Sequence, residues 1–222
     1  MILFPDIPLH GVKGVLLDLD NTLYAYDEVH HVAMQACTEK FIQEYPFTTP
    51  EFFQELYNKA RKRVNHELHG QGASHSRLLY FQKLFENFLG YTHFEKTLQY
   101  EALYWNTFLQ TMKILPKALS FLQECYQKKI PICLVTDLTA QIQHKKIIQL
   151  NIQPYIKFMV SSEEAGVEKP HPYPFLLALE KMNLAPCDVI MIGDSEKKDK
   201  LGADLCRIQF YQVQHYDKQS HH

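Results

Sequence analysis

The sequence predicts an α/β fold whose doubly wound parallel sheet is interrupted, after the first strand, by a helical insertion. Two observations carry this prediction. In the second half of the chain, short apolar runs alternate with amphipathic helical segments, which is the pattern of repeated strand–helix units. Between residues 27 and about 110 the pattern changes to long helical periodicity. A chain of 222 residues, 46% of them hydrophobic, is long enough to bury one core domain and such an insertion.

The predicted elements follow in a fixed order. The first is 15–17, part of a Val/Leu run after Gly14 that is typical of a strand buried on both faces. Beyond the insertion, helices are predicted over 117–128, 140–151 and 173–182 and just after 193, and strands over 132–135, 158–160, 189–193 and 208–213. The sheet domain therefore comprises 1–26 and 111–222, the helical insertion comprises 27–110, and 218–222 are expected to be a tail.

Polar side chains stand where the predicted strands end. Asp18 and Asp20 follow the first strand, Thr136 follows the second, and Asp194 follows the strand over 189–193. Open α/β sheets bind their ligands at the carboxyl ends of the strands. Because two carboxylates as close as Asp18 and Asp20 raise each other's pKa, a cation or a charged substrate is expected to neutralise them. The pattern predicts a metal site at this edge of the sheet.

The same residues, in the same order, resemble the haloacid dehalogenase (HAD) superfamily of phosphohydrolases. Its four motifs match Asp18-x-Asp20-x-Thr22, Thr136, Lys169, and Gly193-Asp194-Ser195-x-x-x-Asp199 followed by Gly202-Ala203. The resemblance spans about residues 12 to 213, and four motifs in order are far more specific than one. It implies a Rossmann-like core with a helical cap, which is the insertion over 27–110, and we expect that cap to cover the site.

The resemblance also implies a role for each motif residue. Asp18 would be the nucleophile that forms an aspartyl phosphate, and Asp20 the acid and base. Mg²⁺ would be held by Asp18, Asp194 and the backbone carbonyl of Asp20. The phosphate of the substrate would be bound by Thr136, Lys169 and the backbone at Asp137. Thr22 would shape the loop, and Asp199 would orient a coordinated water or Lys169 without necessarily touching the metal.

Two positions depart from the family pattern. Asp137 stands where many relatives have asparagine, so it adds a carboxylate to an acidic site; it could pair with a cap residue or a substrate cation, or cap the following helix. Arg207 stands at a position that is commonly glycine, which concerns a turn rather than the chemistry. The sequence leaves the role of Asp137 open.

The expected activity is hydrolysis of a small phosphate ester. Three parts of the sequence look most like pyrimidine nucleotide 5′-nucleotidases: the segment around Asp18–Tyr24, Gln143 in the helix after Thr136, and residues 162–166. This resemblance favours a nucleoside 5′-monophosphate as the substrate. Two alternatives remain: a phosphomutase resembling β-phosphoglucomutase, and a catalytically silent binding protein on the same fold. Dehalogenation is disfavoured because Asp20 is present.

Within the insertion, one side chain is a candidate for substrate recognition. Arg77 follows the glycine-containing loop over 70–74 and is a candidate to bind a substrate anion, but the sequence favours a surface salt bridge for it. The nearby His66 and His69 lack the spacing of the histidine pair in zinc hydrolases, so they are expected on a solvated face.

Composition limits the other classes of function. A formal charge of −2 without a concentrated basic stripe argues against a nucleic acid polymer as partner. No apolar stretch reaches the roughly 18 residues of a membrane span, and the first residues lack the pattern of a secretory signal, so a cytoplasmic location is expected. The five widely spaced cysteines are interpreted as reduced core thiols. A monomer or a homodimer fits the sequence equally well.

Overall fold

The computed structural model describes residues 2–215, so the tail expected over 218–222 lies outside the described part of the chain. The chain divides into two compact units. One consists of the chain up to Ala25 and from Lys113 onward, and the other of Tyr26–Met112. The second unit is thus one continuous segment that lies in sequence between the two parts of the first.

The strands are β1 (Ile2–Leu3), β2 (Gly14–Leu17), β3 (Ile132–Thr136), β4 (Phe158–Ser161), β5 (Val189–Gly193), β6 (Gln209–Gln212) and β7 (Gln214–His215). The helices are α1 (Tyr26–Glu44), α2 (Pro50–Glu67), α3 (Arg77–Leu89), α4 (Phe94–Thr111), α5 (Pro116–Gln127), α6 (Ala140–Gln149), α7 (Ser162–Ala165), α8 (Tyr173–Met182) and α9 (Leu201–Leu205). A single π-helical turn over Glu196–Lys200 precedes α9.

Five of these strands form one parallel sheet in the order β4-β3-β2-β5-β6. Strand β2, which directly precedes Asp18, lies at the centre of this sheet between β3 and β5. All residues of β2, β3 and β5 are buried, as expected for a parallel sheet that is covered on both faces. The predicted α/β fold class is therefore confirmed, and the strand order reverses at β2, where such sheets bind their ligands.

The core of this unit is apolar and continuous. It includes Leu16, Val135, Val160, Phe175 and Met191, which come from four strands of the sheet and from α8. Four of the five cysteines are buried free thiols, but Cys187 is exposed, so the expectation that all five lie in the core is wrong for Cys187. Its place in the short 3₁₀ turn over Pro186–Asp188, at the surface before β5, explains the exposure.

The inserted unit is a set of helices around an aromatic core. Its α1–α4 bury a series of large rings: Phe41, Phe53, Tyr57, Tyr80, Phe81, Phe85, Tyr100, Tyr104 and Phe108. Local signals fix the helix ends, since Thr49 caps α2 just before Pro50, and Gly90 ends α3 in the left-handed conformation at φ 82°. None of the helices in the described residues is both long and apolar enough to span a membrane.

Two residues near the end of the sheet unit are constrained by their backbone. Arg207 has a φ of 58° in the turn between α9 and β6, a conformation that L-residues other than glycine adopt at a cost. Gly202 in α9 packs so closely against the ring of Phe175 that an added Cβ would overlap that ring. The motif glycine therefore serves helix packing rather than chemistry.

We expect Gly202→Ala to lower the free energy of unfolding by about 1–3 kcal/mol, because the buried ring of Phe175 has to move to admit the methyl group. Urea unfolding checks this. Leu205→Ala on the same helix is the control, since Leu205 is 58% exposed and its loss should change stability by less than about 0.5 kcal/mol. Equal stabilities for Gly202→Ala and wild type would contradict the packing role.

Candidate active site

Three adjacent strands end at one edge of the sheet and bring the motif residues together. Asp18 follows β2, Thr136 ends β3, and Asp194 follows β5. Their register is aligned, because Leu17 at the end of β2 pairs with Leu134 on one side and Ile192 on the other. The backbone N–H of Asp18 also donates to the carbonyl of Ile192 over 2.9 Å. The parallel topology thus places side chains that are far apart in sequence at one site.

A buried lysine holds two of these carboxylates. Lys169 Nζ lies 2.7 Å from Asp18 Oδ1 and 2.6 Å from Asp199 Oδ1, and it also donates to the carbonyl of Val135 over 2.9 Å. All three charged side chains are at most 7% exposed. Because a buried charge is costly unless it is paired, this arrangement fixes the lysine and both carboxylates together.

The second oxygens of these two carboxylates are also bound within the protein. Thr22 Oγ1 donates to Asp18 Oδ2 over 2.9 Å, and the backbone N–H of Ser195 donates to Asp199 Oδ2 over 3.0 Å. An added Cβ at Gly193 would overlap the Asp199 carboxylate, so only glycine permits this close approach. Asp199 is therefore held by its neighbours on both oxygens, which is consistent with the orienting role that the resemblance implies.

Asp18, Asp194 and Asp199 form a group of carboxylates that could hold a metal. One oxygen from each lies within 4.8 Å of the others. Burial, together with the charge of Asp199, raises the pKa of Asp194 to about 6. Burial also raises the pKa of Asp18 well above its usual range, with Lys169 opposing the shift and Asp199 adding to it. Oxygen donors with raised pKa values fit a hard divalent cation such as Mg²⁺, whose charge would reverse both shifts.

The side chain of Asp20 points to a different set of partners. Lys146 Nζ lies 2.7 Å from Asp20 Oδ1 and 2.8 Å from Oδ2, the Tyr24 hydroxyl donates to Oδ1, and the Gln143 amide donates to Oδ2 over 3.4 Å. Burial alone would raise the pKa of Asp20, but the charge of Lys146 and these donors outweigh it, so the pKa is lowered. The Asp20 carboxylate is thus not part of the group of carboxylates that could hold a metal. This leaves the backbone carbonyl of Asp20 as its proposed metal ligand.

Two functional candidates on α6 are absent from the sequence-based set of sites. Gln143 donates to Thr136 Oγ1 over 2.6 Å and to the carbonyl of Asp137 over 2.9 Å, in addition to Asp20. Lys146 is fully buried one turn later on the same helix face. Lys146 lies on the apolar helix stripe formed with Ile142 and Ile147. Because lysine is almost never fully buried without a partner, this position is a signal in the sequence that indicates a buried ion pair.

Asp137 does not cap α6, so that interpretation is wrong. Its Oδ1 accepts from the backbone N–H of Lys169 over 3.0 Å, and its Oδ2 accepts from Lys198 Nζ over 2.8 Å. The first amide of α6, that of Ala140, is instead bonded to Glu163 Oε2 over 2.8 Å. The extra carboxylate therefore fixes the backbone next to Lys169 and has its own cation, rather than adding an unpaired charge to the site.

Arg77 lies inside the helical unit and not in a surface salt bridge. It is 7% exposed, donates to the carbonyl of His75 over 2.6 Å and to the hydroxyl of Tyr26, and lies over the rings of three aromatic residues. Those rings, of Tyr80, Tyr104 and Trp105, have centroids between 5.1 and 5.6 Å from the guanidinium carbon. Its Nε is buried without a hydrogen-bond partner. Burial and the charge of Arg77 lower the pKa of the nearby His30 to about 3, so the imidazole beside Arg77 is neutral at pH 7.

Comparison with known proteins agrees with this geometry. Residues 12–204 match the family model of the haloacid dehalogenase-like hydrolases. The chain is 34% identical to ribulose-1,5-bisphosphate 5-phosphatase of Halopiger xanaduensis over 86% of this chain and 80% of that protein. It is 28% identical to glyceraldehyde 3-phosphate phosphatase of Methanopyrus kandleri over 87% of this chain and 80% of that protein. The fold is similar to that of the HAD-hydrolase YfnB of Bacillus subtilis, with a TM-score of 0.67 at 19% identity, over 90% of this chain and 87% of that one.

Two independent findings identify the family of the chain. The family model covers most of the chain, and the matched region contains all four motifs from Asp18 to Asp199. The relative that is 34% identical is aligned over more than two thirds of both chains. The chain therefore belongs to the haloacid dehalogenase-like hydrolase family.

Proposed function

We propose that this phosphoric monoester hydrolase works with Mg²⁺, acts on a small phosphorylated metabolite, and transfers the phosphoryl group of that ester to Asp18 while the alcohol leaves. The observation that carries the proposal is the charge balance at the strand ends. Four carboxylates, Asp18, Asp20, Asp194 and Asp199, face two buried lysines, Lys146 and Lys169. The surplus of two negative charges equals the charge of one divalent cation.

Asp18 and Asp194, with the backbone carbonyl of Asp20, are the proposed metal ligands. When bound, Mg²⁺ supplies positive charge to the phosphoryl oxygens and lowers the repulsion between an anionic ester and a carboxylate nucleophile. The Asp194 side chain is 24% exposed, whereas that of Asp199 is 1% exposed. This difference supports Asp194 as the accessible ligand and Asp199 as the residue that orients Lys169.

The residues of the chain divide the reaction between them. Each oxygen of Asp18 accepts one hydrogen bond, so lone pairs remain for attack on phosphorus. Asp20 would protonate the leaving oxygen and later take a proton from the water that hydrolyses the phosphoryl group. Lys169, the Thr136 hydroxyl and the amides beside Asp137 would bind the phosphoryl oxygens. Splitting the displacement into two steps makes each of them easier.

The proposed substrates are small esters. The relatives named above act on ribulose 1,5-bisphosphate and glyceraldehyde 3-phosphate, which favours a sugar phosphate of similar size. The sequence around Asp18–Tyr24 resembles pyrimidine nucleotide 5′-nucleotidases, so a nucleoside 5′-monophosphate is also a candidate substrate. A phosphomutase would be recognised by exchange of phosphate between positions of one sugar without net release.

Arg77 is the proposed contact for a substrate anion from the helical unit. A guanidinium has five N–H donors, and the Nε of Arg77 has no partner while burial leaves little room for water. Among the described residues, no carboxylate forms an ion pair with it. An unpaired buried cation of this kind supports a ligand that carries a second anionic group.

We expect phosphate release from a panel of an aryl phosphate, the two sugar phosphates and nucleoside monophosphates to depend on Mg²⁺. Chelation should abolish release, Mg²⁺ should restore it, and Ca²⁺ should restore it poorly because its looser coordination shell misplaces the nucleophile. Because protons compete with the metal once Asp194 becomes protonated, the Mg²⁺ requirement should rise as the pH falls below about 6.

Matched variants make this test specific. Asp194→Asn should lose the response to Mg²⁺, whereas Asp204→Asn should keep it, because Asp204 pairs with Lys200 on the exposed side of α9. Full activity after exhaustive chelation would contradict the metal assignment, and no release from any ester by the wild-type protein would contradict the proposed function.

For Arg77, we expect Arg77→Gln to lower kcat/KM about 10- to 100-fold for the preferred metabolite and less than about 3-fold for the aryl phosphate, since one charged hydrogen bond is lost. Arg63→Gln is the control, because Arg63 is an exposed arginine of the same unit that pairs with Glu67. Thermal unfolding of each variant separates a loss of recognition from a loss of fold. Unchanged rates on both substrates would show that Arg77 is not a substrate contact.

A further inference from the structure

Outside the four motifs, Lys146 is a tightly held side chain of the site. It is fully buried, and its ammonium group contacts both oxygens of Asp20 at 2.7 and 2.8 Å. Burial of an ammonium group is unfavourable unless a carboxylate compensates it. Lys146 therefore depends on Asp20 as much as Asp20 depends on Lys146, and each fixes the position of the other.

The Asp20 carboxylate is held from several directions. Besides Lys146 it accepts from the hydroxyl of Tyr24 and from the Gln143 amide at 3.4 Å. Lys146 also lies over the ring of Tyr24, 5.9 Å from the ring centroid. A short loop follows Asp20, with Asn21 in the left-handed conformation at φ 62°. Side chain and backbone thus both restrict where the carboxylate can lie.

The same helix face also holds the end of β3. Gln143 and Lys146 are three residues apart on α6, so their side chains lie on one face. Gln143 binds the hydroxyl of Thr136 at 2.6 Å, and Lys146 binds Asp20. One helix therefore fixes the proposed acid and base relative to the proposed phosphate-binding hydroxyl.

We propose that Lys146 is a positioning residue, which holds the Asp20 carboxylate where it can reach the leaving oxygen and the attacking water. The inference rests on the proposed function, because it assigns a part in that reaction to a residue outside the motifs. Lys146 acts only through Asp20. Its ammonium group is covered on all sides and is already used on both oxygens of Asp20, so it is not a ligand for the substrate phosphate.

The test compares Lys146→Met, Lys146→Gln and Lys146→Arg with Lys145→Met. Methionine keeps much of the length of lysine and removes its charge, and Lys145 is the exposed neighbour on α6. For each variant, kcat/KM is measured with an aryl phosphate and with an alkyl phosphate such as glycerol 2-phosphate, the inhibition constant of inorganic phosphate is measured, and thermal unfolding reports on the fold.

Lys146→Met and Lys146→Gln should lower kcat/KM about 100-fold for the alkyl phosphate and less than about 10-fold for the aryl phosphate, because a displaced Asp20 no longer reaches the leaving oxygen, and an alkoxide needs a proton to leave whereas a phenolate needs it less. This loss of position should outweigh the easier protonation of Asp20 that follows from removal of the Lys146 charge. The inhibition constant of phosphate should change less than about 3-fold. Lys146→Arg should recover part of the alkyl phosphate activity, and Lys145→Met should behave as wild type. Lys146→Met added to Asp20→Asn should cause little further loss.

Several results would overturn the inference. Equal losses on the two substrates would indicate a general structural role, and a large rise in the inhibition constant of phosphate would indicate a direct phosphate ligand. Additive losses in the double variant would separate Lys146 from Asp20. These outcomes require an active wild-type protein, so they differ from failure of the proposed function, in which wild type releases phosphate from neither ester and this inference falls with it.

Discussion

The constraint on which this site depends is the repulsion between carboxylates that a parallel sheet brings together. Asp18 and Asp194 leave adjacent strands in the same direction, so their charges meet at one edge. Lys169 offsets part of this repulsion by binding Asp18 and Asp199 in a nearly dry environment. Without a buried cation at that point, the carboxylates would be neutralised by protons instead, and a carboxylic acid is a poor nucleophile and a poor metal ligand.

The remaining features position the loops around the ion pairs of Lys169 with Asp18 and Asp199. Gly193 lets the Asp199 carboxylate approach the end of β5, and Asp137 fixes the backbone of Lys169 while Lys198 balances its charge. On the other side, Lys146 compensates Asp20 separately. The site thus contains two buried lysine–aspartate centres with different partners, one at the proposed nucleophile and one at the proposed acid and base.

Much of this could be predicted from the sequence, and the exceptions share a cause. The strands and Asp18, Thr136 and Asp194 are recognisable because apolar runs and strand-end positions are local signals. The partner of Lys146 is 126 residues away, so no local pattern pairs it with Asp20, although its place on an apolar helix stripe marks it as unusual. Asp137 was open to a helix-capping interpretation for the same reason, since its cation is 61 residues away. The burial of Arg77 depends on the packing of several helices and has no counterpart in spacing.

The most direct test of the account is to detect the phosphoryl group on Asp18. Asp20→Asn protein is mixed with an aryl phosphate and Mg²⁺, quenched in acid within the first turnover, digested and analysed by mass spectrometry. Loss of the proposed base should slow hydrolysis of the intermediate, so the account predicts one phosphoryl group, carried by Asp18 and absent from Asp18→Asn protein treated in the same way. Release of phosphate with no modified peptide, or with the phosphoryl group on another residue, would contradict it.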